Sequence, residues 1–383
     1  MNNTLEDTLK VIVEPYMPHQ LVSPKNLSCI SAIARMLPGD ITNFFGFECR
    51  LGTSSSRADF LLTTASSESG RDILSGDHAT IKLPEILYTN PVWNCIQNFC
   101  RHWADPISPL HEKVDNVWLE FDVDSQLPQI PVPSFFLGSK TIKASHFNTI
   151  LPKLTTHPQQ WLTETALPLL LNQLLPVQVE QKLFECLDSL PTQAYIFQMG
   201  VMLARKSDAV RICVRDITPQ QIPEYLTRIG WRGSVSDIKA LILKLSNLVE
   251  RIDLDLDVSS TILPKLGLEC YVQIKPGSKG LQFLDYLVDA GLCLPEKRDA
   301  LVAYPGYTHE RLNRELWPQH LRHFSDFLEN RVLSTFFRTI HHIKVVYQPD
   351  RALEAKAYLG VKHYWLPLAS LQQQNRTLKT ATS

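Results

Sequence analysis

Five pairs of strand-like segments recur along this chain with mostly helical spacers between them, and one face of nearly every pair is repeatedly charged. The pairs span residues 44–51 with 57–64, 117–123 with 131–137, 195–204 with 209–217, 251–258 with 266–274, and 343–348 with 356–365. A strand turns successive side chains to opposite faces. Polar residues at every second position therefore mark a wetted or ligand-filled surface rather than an oily core.

The segment 251–258 is the clearest case: Ile252, Leu254, Leu256 and Val258 share one side, and Asp253, Asp255 and Asp257 share the other. By the same parity Val210, Ile212 and Val214 oppose Arg211, Cys213 and Arg215, and Leu119, Phe121 and Val123 oppose Trp118, Glu120 and Asp122. Leu268, Cys270, Val272 and Ile274 oppose Glu269, Tyr271 and Gln273. In the last pair, Ile343 and Val345 oppose Lys344 and Gln348, while Ala357, Leu359 and Val361 oppose Lys356, Tyr358, Lys362 and Tyr364. Solvent on the polar face is the simplest reading of any one such sheet. About ten strongly twisted antiparallel strands, however, tend to curl or close, and the tyrosines and Trp118 suit an enclosed surface. Closure turns the polar face inward and leaves more room than side chains fill. The expected fold class is thus α+β: a closed antiparallel ten-stranded β-barrel surrounded by helices, built from about five helix-helix-strand-strand units.

The spacers support that plan. Residues 237–248 keep Ile238, Leu241, Ile242, Leu245 and Leu248 on one helical face behind Ser236 as N-cap. Residues 281–292 repeat the pattern with Phe283, Leu284, Leu287 and Val288 and end at Gly291, and Pro295 opens a helix over 295–303. Further helices are expected over 26–36, 90–103, 159–174 and 177–187, exposed loops over 65–81 and 126–133, and a turn with a helix cap over 304–308. With no low-complexity linker, residues 1–371 read as one domain and 372–383 as a polar tail.

Composition narrows the partners. A net charge of -1 with 44% hydrophobic and 20% charged residues describes a globular chain with no bulk basicity for nucleic acid. No run of about 18 apolar residues occurs, and Met1 to Asp7 hold no basic stretch followed by an apolar one, so no membrane span and a cytoplasmic location are expected. The eight scattered cysteines read as buried free thiols, and Cys95, Cys100 and His102 lack the paired spacing of a zinc site. Consecutive His341 and His342 on a strand are expected to point to opposite faces, so no metal site is expected there. Glycine-rich phosphate and dinucleotide loops and the Gly-x-Ser-x-Gly elbow are missing.

Arg50, Arg57, Arg211, Arg215, Lys344 and Lys356 offer donors suited to a diphosphate. Glu48, Glu120, Asp122, Asp253, Asp255 and Glu269 can pair with those cations, hold a divalent ion or bind a cationic group. Five helix-flanked antiparallel pairs with Arg, Lys and Tyr on the non-helical face resemble the aromatic prenyltransferases with a ten-stranded barrel, including the dimethylallyltryptophan synthase group. The resemblance implies transfer of a prenyl group from an allylic diphosphate to an electron-rich aromatic acceptor, a small molecule or a peptide side chain. It implies Glu48 as the catalytic base and Arg57 as a grip on the diphosphate, with Arg211, Arg215, Tyr271 and the Lys356-Ala357-Tyr358 triplet as the later cationic and tyrosine elements. Lys344 joins that substrate-binding set, and Trp118 and Tyr364 join the rings that face the allyl cation. No cofactor is expected to be required, with Mg2+ as the alternative. The chain departs from the family pattern in its acidic Trp118-Leu119-Glu120-Phe121-Asp122 run, in Cys213 and in Glu269. The alternative function is a barrel or scaffold that transfers no prenyl group and binds a basic peptide or polyamine through its acidic strands.

Overall fold

The structure is a computed structural model that describes residues 3–124, 128–143, 157–205, 207–275, 277–329 and 331–368. The expected tail over 372–383 and the start of the 126–133 loop lie outside the described residues. Strands β1 (Phe44–Arg50), β2 (Ala58–Ala65), β3 (Asn116–Phe121), β4 (Ser134–Gly138), β5 (Tyr195–Val201), β6 (Val210–Arg215), β7 (Arg251–Val258) and β8 (Ile262–Tyr271) are followed by β9 (Gly306–His309), β10 (Val332–Tyr347) and β11 (Glu354–Pro367). Every pairing is antiparallel. From β1 to β8 each strand pairs with the next, β8 pairs with β10, and β10 with β11. The ring then closes: β11 returns to β1, with Phe44 opposite Lys362 and Arg50 opposite Lys356. This is the closed ten-stranded barrel, with β9 as an eleventh strand outside the ring on the edge of β10.

Among the described residues, each unit opens with two α-helices. They are α1 (Leu5–Ile12) and α2 (Pro24–Ala34), α3 (Gly70–Ser75) and α4 (Pro91–Ala104), α5 (Leu167–Leu171) and α6 (Val177–Asp188), α7 (Gln221–Arg228) and α8 (Val235–Ser246), and α9 (Lys279–Asp289) and α10 (Pro295–Ala303). The fifth unit also inserts β9 and α11 (Gln319–Phe327) before its hairpin. The helices cover the apolar face of the barrel. Phe45, Phe47, Phe60, Phe121 and Phe135 are buried there with Trp93, Phe99 and Trp103 of α4. Phe99 meets Phe135 edge-on at 5.0 Å between ring centres. The indole N–H groups of Trp93 and Trp103 donate to Pro131 O at 2.9 Å and Val114 O at 2.8 Å, so burying them leaves no polar group unpaired.

The sequence misplaced several boundaries. The N-cap of α8 is Ser234, whose hydroxyl accepts from the Asp237 amide at 3.3 Å, not Ser236. The stretch 65–81 is not loop throughout, because Ile73 and Leu74 bury themselves by forming α3. Residues 304–308 were expected to turn, yet Gly306 to Thr308 lie in β9, since β10 begins at Val332 rather than near 343 and offers them an edge to pair with.

The closing seam carries a tight contact. Gly46 on β1 lies opposite Gly360 on β11, and a Cβ at Gly46 would sit 2.1 Å from the Leu359 carbonyl oxygen. Gly46→Val must therefore force the two strands apart, and a destabilisation of about 1–3 kcal/mol is expected from urea unfolding. Truncating the exposed Leu243 to Ala should change stability by no more than about 0.5 kcal/mol.

Candidate active site

Closure gathers the inward-facing side chains around a lumen with two adjoining chambers that share five lining residues. A wide chamber of about 430 Å³ opens toward the Phe44 end of β1 and is lined by Phe44, Leu61, Trp118, Phe136, Tyr195, Phe197, Tyr271 and His341, among others. A narrow chamber of about 40 Å³ toward the Arg50 end is lined by Glu48, Arg205, Asp257, Lys265 and Lys356, among others. Glu120, Arg211, Asp255, Lys344 and Tyr358 line both and form the neck between them.

Strand parity aims these groups, and cross-strand pairing neutralises most of them. Arg211 makes a two-pronged pair with Asp257 at 2.8 and 3.0 Å. Arg215 donates to Asp253 at 3.0 Å, and Arg251 sits 2.9 Å from the same carboxylate. Arg205 grips Asp122 in the same fork fashion. Lys356 donates to Glu48 Oε1 at 2.5 Å, and the Tyr358 hydroxyl donates to Glu48 Oε2. Lys344 pairs with Asp255 and stands 3.3 Å from Glu269, which also accepts from the Tyr271 hydroxyl at 2.8 Å. Among the described residues, Lys140 and Lys265 are the lining cations with no carboxylate within 4.0 Å.

Proton affinities divide along the same lines. Burial pushes Glu48 up, but Lys356 and Lys344 outweigh it and hold the group well below the usual carboxylate range. Burial and then the Glu48 charge push Glu120 up to about 7, although Arg211, Lys344 and Arg205 oppose the rise. Burial, then Glu269, raises Asp255 to about 6, and burial raises Asp253 to about 6 despite its flanking arginines. Burial lowers Lys344, yet Asp255, Tyr358 and Glu269 leave it well above the usual lysine value. Lys265 is lowered by burial and by the nearby Lys356 and Arg211 charges.

Most residues singled out from the sequence meet in this lumen: Glu48 and Lys356 in the narrow chamber, Trp118, Arg215 and Tyr271 in the wide one, and Arg211, Lys344 and Tyr358 at the neck. Two do not. Arg57 lies just before β2, its side chain 44% exposed, paired with Asp124 and donating to Val123 O at 3.3 Å. Tyr364 lies on the part of β11 that extends past the ring, 40% exposed and edge-on to Phe337. His341 and His342 were expected to point apart, but the β10–β11 register shifts between Ile340 and His342 and both rings line the wide chamber. His342 stacks on Tyr358 with 4.1 Å between ring centres, and burial lowers the proton affinity of both imidazoles.

The expectations had also passed over Phe44, Phe136, Phe197, Arg205 and Lys265. Phe44 and Phe136 could have been found by extending the same parity along their strands. Lys265 escaped because β8 begins at Ile262, four residues before the expected start. No group of three His, Cys, Asp or Glu side chains among the described residues is placed to hold a metal ion. No helix among them is long and apolar enough to cross a membrane.

No protein-family model matches the chain. No curated protein matches it either. Among solved structures it is similar to the crystal structure of AnaPT from Neosartorya fischeri, with 13% identity, a TM-score of 0.46, and coverage of 95% of this chain and 93% of that one. It is also similar to the apo form of the prenyltransferase PriB, with 11% identity, a TM-score of 0.43, and coverage of 95% and 96% respectively. The assignment of barrel and lumen rests on strand pairing and side-chain geometry.

A carboxyl whose proton affinity rises on folding destabilises the fold as pH increases. For Glu120 that cost is absent below about 4.5 and complete above about 7, the span between its ordinary and folded values. Glu120→Gln is therefore expected to be more stable than the natural protein by roughly 1–3 kcal/mol at pH 8, with little difference at pH 4.5, as read by urea unfolding.

Proposed function

We propose that the lumen transfers a prenyl group from an allylic diphosphate to an electron-rich aromatic acceptor, either a small molecule or a peptide side chain. The observation that carries this reading is the neck, where Lys344, Arg211 and Tyr358 stand between a cation-bearing chamber and a larger aromatic one. A diphosphate held by Lys344, Lys356, Arg211 and Lys265 would direct its allylic tail into the wide chamber, against Trp118 and Tyr271. As the C–O bond breaks, negative charge grows on the departing diphosphate, and fixed cations favour that state over the ground state. Aromatic faces favour the carbon cation left behind by about 0.5–2 kcal/mol each. The barrel wall keeps bulk water from capturing it. A metal is not invoked: the lysines and arginines supply the charge, and transfer should persist in EDTA.

The carboxylates that neutralise the lumen set its pH dependence. When Asp253 and Asp255, near 6, and Glu120, near 7, take up protons, the cations beside them are freed for an anion. A small aromatic disulfonate, itself ionised throughout, should therefore bind at least several-fold more tightly at pH 5.5 than at pH 8 in calorimetry.

One observation favours the second reading, a site for a basic peptide or polyamine. Apart from Lys140 and Lys265, the lining cations already have carboxylate partners. Incubation with radiolabelled dimethylallyl diphosphate and a panel of indoles, phenols and aromatic peptides separates the two. Prenyl transfer is expected, with a loss of about 10²–10³-fold in Lys344→Met while the circular dichroism spectrum is retained. Salt-sensitive spermine binding, with neither diphosphate binding nor transfer, would establish the second reading instead.

A further inference from the structure

Building on the proposed prenyl transfer, we infer that Glu120, rather than Glu48, takes the proton that the aromatic acceptor loses. Both Glu48 oxygens are already engaged. Lys356 holds Oε1 and the Tyr358 hydroxyl holds Oε2, the side chain is only 6% exposed, and it borders the narrow chamber alone. Its chemistry is that of an anchor for Lys356 and Tyr358.

Glu120 differs on each point. It borders both chambers, and its side chain is 14% exposed. Its one ion pair within 4.0 Å among the described residues is a loose 3.9 Å contact with Arg205, whose guanidinium is already committed to Asp122. Two residues along the same face of β3 is Trp118, which lies edge-on to Phe44 at 5.6 Å in the wide chamber where an acceptor ring would lie. On the neighbouring strands Leu61 and Ser134 stand opposite Glu120 and bring no charge.

The charges that act on it across the lumen are Glu48 of β1, Arg211 of β6, Lys344 of β10 and Arg205. Burial and Glu48 raise its proton affinity to about 7, so at neutral pH the ionised and protonated forms coexist. A base matched in this way to the working pH is efficient at both receiving and releasing a proton.

The step balances without another reactant. The allylic C–O bond breaks and its electron pair leaves with the diphosphate. A π pair of the acceptor ring forms the new C–C bond. The C–H pair at that ring carbon then restores aromaticity as the proton passes to a Glu120 carboxylate oxygen, which later releases it to water.

The test is kcat/KM against pH, from 5.5 to 8.5, for the natural protein and for Glu120→Gln, Glu120→Asp and Glu48→Gln, using dimethylallyl diphosphate and an acceptor that the natural protein turns over. For the natural protein at saturating diphosphate, kcat/KM for the acceptor is expected to rise through about pH 7. Glu120→Gln should lose about 10²–10⁴-fold and the rising limb with it, while Glu120→Asp retains the limb at an intermediate rate. Glu48→Gln should keep the limb but move it to lower pH, because the Glu48 charge no longer raises the Glu120 carboxyl, and should lower the KM for the diphosphate by releasing Lys356. A limb that persists in Glu120→Gln, or that vanishes in Glu48→Gln but not in Glu120→Gln, overturns the assignment. A natural protein with no turnover on any acceptor removes the transfer reaction itself, and the role of Glu120 in it.

Discussion

The pairing of β11 with β1 is the constraint on which the rest depends. Without that seam the charged face of the sheet would meet bulk water, where ion pairs contribute little and a carboxylate keeps its ordinary proton affinity. With it, residues from the first and last hairpins become neighbours although some 300 positions separate them. Glu48 can reach Lys356 and Tyr358 only because the cylinder closes. The seam also has little slack, since the facing glycines Gly46 and Gly360 let the two backbones approach.

Enclosure makes charge expensive, and the lumen responds with pairing. Desolvating an isolated ion costs several kcal/mol, and its partner's attraction offsets that cost only with good geometry. The two-pronged Arg211–Asp257 contact has that geometry. Glu120 does not, and burial together with the Glu48 charge raises its proton affinity, as burial also raises the ion-paired Asp253 and Asp255. A lumen so nearly neutral responds to ligands and to pH together, because protonating an acid and admitting an anion shift the same balance. The wide chamber adds ring faces to this balance, since Trp118, Phe136 and Tyr271 line it beside Arg215, Asp255 and Glu269.

Much of this was legible in the sequence because strand parity is a strict rule. Asp253, Asp255 and Asp257 on one face and Leu254 and Leu256 on the other announce their orientation without any structure. The same rule fails where a strand is irregular. The register shift after Ile340 brings His341 and His342 into the lumen together, and nothing in two adjacent histidines signals it. Arg57 shows a different limit: parity gives a direction but not how far a strand extends, and β2 begins one residue too late to carry Arg57 inside. Tyr364 illustrates it from the other end, since β11 outruns the ring. Partner choice was the least legible property. Whether Lys356 faces a ligand or Glu48 depends on which strands meet across the seam, which only the closed topology determines.

The most direct measurement is a crystal structure of the protein with a non-ionising allylic thiolodiphosphate. A closed ten-stranded cylinder is expected, with diphosphate oxygens about 3 Å from the Lys344 ammonium and the prenyl chain running toward Trp118 and Tyr271. A sheet left open between β1 and β11, or a ligand bound outside the lumen, would contradict the account at its base.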